Sequence, residues 1–180
     1  MKKIIYVMSF LLISQLTGCI VFHSVSYEVS VNEDGTGTAL VIIDDLNTDA
    51  ATKEMIDEDV KSILEYGLKS SEFVDGMKAE GKTITSRNVM VEREKLNAII
   101  HYEFSDISTV EGMQFDDPYY YLTIPVEDSI ISTNGQITKT SEYQRIVWDK
   151  SIKTLKFKMF SDDTSREGFT SITPYFLKEN

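Results

Sequence analysis

Two runs near the start of the chain constrain its fold more than any other feature. In residues 24–31, Val25, Tyr27, Val29 and Val31 alternate with Ser24, Ser26, Glu28 and Ser30. Strict alternation of apolar and polar side chains belongs to a strand with one face buried and the other wet. Residues 36–43 read as a second strand, ending in the apolar run Ala39-Leu40-Val41-Ile42-Ile43. Between them, Asn32-Glu33-Asp34-Gly35 is turn chemistry, with Gly35 free to take positive φ. A β-hairpin is expected, and something later in the chain must cover its apolar face.

The period then changes from two to nearly four. Ile56, Val60, Ile63, Leu64 and Leu68 recur at helical spacing behind candidate N-caps at Asp49 and Thr52. Glu54, Asp57, Glu58 and Asp59 early and Lys69 late suit the helix dipole. Ser70 or Ser71 could cap a second short helix through Phe73, Val74 and Met77, with Gly81 as its stop.

Strand patterns return after that. Residues 83–93 are polar but β-branched, Glu92-Arg93-Glu94-Lys95 reads as a turn, and Leu96, Ala98, Ile100, Tyr102 and Phe104 alternate cleanly. Residues 105–113 suit a short helical turn with Val110 and Met113 inward. Residues 119–126 form a strand, Asn134-Gly135 a hairpin turn, and residues 145–148 and 155–160 a further hairpin across Asp149-Lys150-Ser151. At the end, Thr173-Pro174 opens a short helix or residues 169–172 make a last strand. The order is hairpin, helices, meander. This predicts an α+β fold with one antiparallel sheet of about six to eight strands and about two or three helices on one face. Nothing alternates as βαβαβ, which excludes a doubly wound nucleotide fold.

The N-terminus carries an address. Lys2 and Lys3 form a positive start, residues 4–13 (IIYVMSFLLI) an apolar run broken by one serine, and Leu16-Thr17-Gly18-Cys19 follows. The run is about half of the roughly 20 residues a bilayer-spanning helix needs, so it fits a signal peptide and not a transmembrane anchor. Leu16, Thr17, Gly18 and Cys19 resemble the lipobox of bacterial lipoproteins. That resemblance implies cleavage before Cys19, a diacylglyceryl thioether on its sulfur and an acyl chain such as palmitate on its new amino group. Two or three acyl chains hold a protein on a membrane where one alone is marginal. The chain thus divides into a signal peptide over residues 1–18, a lipidated Cys19 with a very short tether over residues 19–24, and a single α+β domain over residues 25–180. Ile20 stands where an aspartate would retain a lipoprotein at an inner membrane. It points to the outer membrane, facing the periplasm, in a source with two membranes.

Charge and cysteine content narrow the partners. Cys19 is the only cysteine, so neither an internal disulfide nor a cysteine-rich metal centre can form. Residues 1–18 hold Lys2 and Lys3 and no acid, so the mature chain has 16 bases against 29 acids, a net −13. Such a surface is repelled by anionic headgroups, which leaves anchoring to the acyl chains. It is equally unsuited to general nucleic-acid binding, which rewards lysine and arginine.

Patterns that carry chemistry are sparse. Gly-x-Ser-x-Gly, His-Glu-x-x-His, Walker and Rossmann motifs do not occur. The histidines are His23 and His101, so a Ser-His-acid arrangement would rest on His101, oriented by Glu103. Its place in an alternating strand reads more readily as a surface histidine. Asp45, Asn47 and Asp49 have the first spacings of a calcium loop. Ala50, however, stands where the glycine belongs and Ile56 where the bidentate glutamate belongs. A weak, irregular calcium site at Asp44, Asp45 and Asp49 stays open beside the reading of a strand end and helix-capping acids. No catalytic residue, resident metal or cofactor is assigned. Two groups are candidates for binding. Arg145, Lys150, Lys153, Lys156 and Lys158 form the one basic segment, either a docking face for an acidic partner or headgroup, or lysines that block edge aggregation. Phe115, Tyr119, Tyr120 and Tyr121 either line a ligand groove or pack as core and cross-strand pairs.

Behind the lipobox, a hairpin turning at Asp34-Gly35-Thr36-Gly37, the helices, and a strand pair ending in Tyr102-Glu103-Phe104-Ser105-Asp106-Ile107 resemble the mycobacterial LppM-like lipoprotein domain. The resemblance covers about residues 19–115. It implies a lipid-binding role without enzymatic activity and carries over no binding residue. The C-terminal transmembrane segment typical of that family has no counterpart in the polar ending Phe176-Leu177-Lys178-Glu179-Asn180. The expectation is a non-enzymatic lipoprotein, attached to the membrane through Cys19, that holds an apolar or lipid-like ligand between helix and sheet. The alternative is an accessory subunit that docks on an envelope protein assembly.

Overall fold

The computed structural model describes residues 20–160 and 168–179. Residues 1–18, expected to be a signal peptide, and Cys19 lie outside the described residues. The chain enters through a two-residue strand, β1 (Ile20–Val21), and then builds the expected hairpin from β2 (Ser24–Val31) and β3 (Gly37–Asp44). Gly35 turns it with φ +84°, and the Asp34 carboxylate accepts from both the backbone N–H and the hydroxyl of Thr36. The tether expected over residues 19–24 is shorter than the sequence reading allowed, since Ile20 and Val21 already pair with β4 (Asn47–Thr48).

The helices begin and stop where their caps predict. Thr52 caps α1 (Lys53–Ser62) by accepting from the Met55 N–H at 3.4 Å, and Ile56 and Val60 turn inward. The helix runs on in a π-helical stretch over Ile63–Lys69. Ser70 then caps α2 (Ser71–Ala79), accepting from the Glu72 N–H at 3.0 Å, and Gly81 ends it with φ +83°. Next come β5 (Lys82–Glu92) and β6 (Lys95–Phe104). Arg93 and Glu94 both have positive φ between them, the backbone that matches the twist of a two-residue hairpin. A 3₁₀ turn over Ile107–Thr109 buries Val110 and Met113, as expected.

Four further strands, β7 (Gln114–Asp116), β8 (Tyr119–Pro125), β9 (Ser129–Thr133) and β10 (Gln136–Lys139), precede β11 (Tyr143–Asp149) and β12 (Thr154–Phe160). The end of the described chain holds both sequence alternatives, a minimal β13 (Thr170–Ser171) and α3 (Thr173–Glu179). The α+β class stands, but the single sheet does not. Thirteen strands among the described residues form three antiparallel sheets, ordered β5-β6-β3-β2-β12-β9, β10-β11-β8-β7 and β1-β4-β13.

One register row shows how the layers meet. Phe157, Tyr27, Val41, Ile100 and Arg87 lie side by side across β12, β2, β3, β6 and β5, all on the inner face of the six-stranded sheet. At one end of the row, Phe157 stacks on Tyr27 and meets Trp148 of the four-stranded sheet at 5.8 Å. At the other end, Arg87 lies over Phe73 of α2 and bonds the Ser70 carbonyl. The covering layer is therefore helix over β5 and sheet over β12.

This corrects two expected hairpins. Strands β9 and β10 do not pair across Asn134-Gly135, and β11 and β12 do not pair across residues 150–153. At both places the chain turns a corner from one sheet to the other. Asn134 clips that corner, because its carbonyl accepts from the Trp148 indole and the Lys156 N–H while its amide donates to the Thr154 carbonyl, each at 2.8 Å. Gly135 is required by close approach, since a Cβ there would sit 2.7 Å from Ile146 and from the indole nitrogen.

Candidate functional site

The outer face of the six-stranded sheet carries the polar half of each alternating strand. His101 lies there, exposed, in a row with Lys156, Glu28, Leu40 and Ser86. The row crosses a shallow depression of about 370 Å³, floored by Leu40 and walled by Glu28, His101, Glu103 and Thr154. Glu103 stands two residues on along the same strand face. The depression opens to solvent and its lining is mixed hydroxyl, carboxylate and imidazole.

Two of the three acids of the possible calcium loop have lysine partners. Asp44 accepts from the Ser24 hydroxyl and from Lys158, and Asp45 pairs with Lys95 at 2.9 Å. Asp45 also takes positive φ, with its N–H donated to the Asn97 side chain. Among the described residues no group of three or more His, Cys, Asp or Glu is arranged to hold a metal ion.

The basic segment is split between layers. Lys156 and Lys158 share the outer face of β12, as their spacing predicts, and pair with Glu28 and Asp44. Lys150 pairs with Asp117 in the corner loop, and Lys153 is exposed nearby. Arg145 sits on the outward face of the four-stranded sheet. Its guanidinium lies 4.5 Å from the Tyr121 ring and 5.3 Å from the Tyr143 ring, and its Nε donates to the Thr123 hydroxyl at 2.9 Å.

The aromatic cluster is likewise divided by the alternation of β8. Tyr120 faces inward in the Trp148 row and meets Phe115 at 4.8 Å, with Phe115 at the sheet edge and 48% exposed. Tyr119 and Tyr121 face outward, Tyr119 47% exposed and the Tyr121 hydroxyl donating to Gln114. The structure thus joins half of one sequence group, Tyr119 and Tyr121, to one member of the other, Arg145. Tyr143 and Gln114 lie on that surface too, and sequence reasoning missed both; Asp116 and Asp149 flank Tyr119 in its row. Only the strand register places them there.

A second feature escaped the sequence reading. Asp59 of α1 is buried and accepts a hydrogen bond from the buried Thr48 hydroxyl of β4. Burial pushes its carboxyl above the ordinary value and Asp49 and Glu58 add to the rise, against the opposing effect of the Thr48 bond. The signal available in sequence was a fourth acid in the early turns of an amphipathic helix, in register with Ile56, Val60 and Ile63.

Among the described residues no helix is long and apolar enough to cross a membrane. Compared with the known protein families, with curated proteins and with solved structures, the chain matches none.

Proposed function

We propose that this chain is a lipid-anchored protein of the bacterial cell envelope that acts by binding, as an accessory subunit held close to the membrane, and not as an enzyme. The observation that carries the reading is β1. It begins at Ile20, the residue after Cys19, and is held by antiparallel pairing to β4. One residue spans at most about 3.6 Å, so an acylated Cys19 leaves the folded body no slack. A domain held that closely suits a partner in or on the same membrane. A shuttle that carries lipid across an envelope needs a longer tether.

The packing supports the same choice. Val29, Val60 and Leu96, each 0% exposed, belong to one buried apolar core. The outer depression is shallow and open, and its lining is mixed.

Two measurements test the proposal. In fractionated cells the full chain is expected with the membranes, processed at Cys19, and the Cys19→Ala variant in the soluble fraction. A variant that stays with the membranes, or a wild type that keeps residues 1–18, refutes the anchor. Inserting about 20 Gly/Ser residues between Cys19 and Ile20 adds a random-coil reach of about 25 Å. Crosslinks from the wild-type domain to an integral membrane protein are expected to disappear in that variant. Their persistence, or a small molecule that co-purifies and leaves on denaturation, refutes membrane-proximal docking and restores the carrier.

A further inference from the structure

Two neighbouring strands inside the six-stranded sheet break the alternation of apolar and polar residues. The run Ala39-Leu40-Val41-Ile42-Ile43 of β3 is apolar at every position, and so is Ala98-Ile99-Ile100 of β6. A run of that kind belongs to a strand covered on both faces. Ala39, Val41, Ile43 and Ile100 are buried in the core. Leu40, Ile42 and Ile99 lie on the opposite face and neither join the core nor pack against it. The register gathers these three, since Ile42 is beside Ile99 and Leu40 is one row along on β3. They form an aliphatic island in the middle of the outer face, each partly exposed.

Charge narrows what covers the island. The outer face carries Lys95, Lys156 and Lys158 against Glu28, Asp44, Glu92 and Glu103, a net −1 from three bases and four acids. The whole chain has −11. Lys156 pairs with Glu28 and Lys158 with Asp44, so the charges nearest the island largely neutralise one another. On this surface two copies of an acidic chain meet with the least repulsion.

The face is also complementary to itself. A two-fold axis along β3 lays Leu40 and Ile42 of one copy on those of the other. It carries β12 of one copy over β5 of the other, so Lys156 meets Ser86 and Lys158 meets Asn88. An axis across the strands would set lysine on lysine. Six strands about 4.8 Å apart and four rows about 6.8 Å apart give a face of about 500 Å², or about 1,000 Å² for a pair. That is the lower bound for a specific interface and fits a reversible dimer.

We propose that the outer face of the six-stranded sheet is a dimer interface and that its occupant is a second copy of this chain, packed sheet on sheet about the axis along β3. The inference needs neither a lipid on Cys19 nor a partner protein. The test is crosslinking of the full-length chain, in the cells that produce it, with a bis-maleimide spanning about 10 Å, the spacing of packed sheets. Thr38→Cys puts an exposed thiol on the axis strand beside the island. Thr138→Cys, exposed on the four-stranded sheet, and the wild type are the comparisons, so any link through Cys19 shows in all three.

Thr38→Cys is expected to give a product of twice the chain's mass that the comparisons lack. Adding Ile99→Glu or Ile42→Asn, both at outward positions, should reduce it about tenfold, because each sets a polar group against the other copy's aliphatic side chains. Trp148 fluorescence during urea unfolding shows whether each variant is folded. The proposal is overturned if no such product forms, if Thr138→Cys gives as much of it, or if it persists in the folded variants. A Thr38→Cys product of any other mass overturns it in favour of a different protein on this face.

Discussion

Replacing Asn134 by alanine tests how the two main sheets are held together. The side chain makes three hydrogen bonds of 2.8 Å across the corner, to Trp148, Lys156 and Thr154. Trp148 is 0% exposed, but Asn134 itself is exposed, so water reaches the indole N–H once the side chain is cut back. The lost indole bond then costs about 0.5–1.5 kcal/mol. The Lys156 N–H and the Thr154 carbonyl belong to an exposed strand end and together add about 1 kcal/mol. The expected loss is about 1.5–2.5 kcal/mol, a large share of the roughly 5–15 kcal/mol that holds a domain of this kind. Trp148 is the only tryptophan, so its fluorescence follows urea unfolding without added probes. Asn134→Asp keeps the acceptor for the indole and for Lys156 but sets a carboxylate oxygen against the Thr154 carbonyl, so it too should be less stable than wild type in the same assay. If Asn134→Ala falls within about 0.5 kcal/mol of wild type, the clip is decorative.

Two other substitutions probe the interior. A Cβ at Gly37 would overlap the Ser30 carbonyl and the Phe104 ring, so Gly37→Ala should cost about 2–3 kcal/mol in urea unfolding, and a neutral result would show that the β2–β3 turn yields freely. Asp59 has a carboxyl pKa raised by burial, so the native state holds its proton to higher pH than the unfolded chain does. Stability from this group is present below the unfolded value near 3.8 and is lost as pH rises through the native one. Asp59→Asn should hold the Thr48 bond and remove that loss. The gap between variant and wild type in urea midpoint should widen from pH 3.5 to pH 7, and a constant gap would refute the assignment.

Much of the local structure was legible before any coordinates. Thr52 and Ser70 cap the two helices as the side-chain chemistry predicts, and Val29, Ile100 and Phe104 bury the faces their alternation assigns. The candidate surface was legible only in pieces. Tyr119, Tyr121 and Arg145 were singled out in two separate groups, and Tyr143 in neither. Their meeting depends on β8 and β11 pairing in the register Tyr121↔Val147 and Thr123↔Arg145, and a slip of one residue would turn Arg145 inward.

By itself the sequence determined the α+β class, the opening hairpin, the helix boundaries and the lipobox-like start, because each depends on neighbours within a few positions. Turn residues, caps and periodicity act through local backbone geometry and through which face of an element is apolar. The tertiary structure alone decided that β12 pairs with β2 and not with β11, that the later strands form a second layer over Phe157, and that Arg145 is held between two tyrosines. Alternation states which face of a strand is buried, but backbone hydrogen bonds are nearly the same for any pair of strands. The choice of partner is left to the packing of Trp148, Phe157 and Tyr27, whose positions span most of the chain.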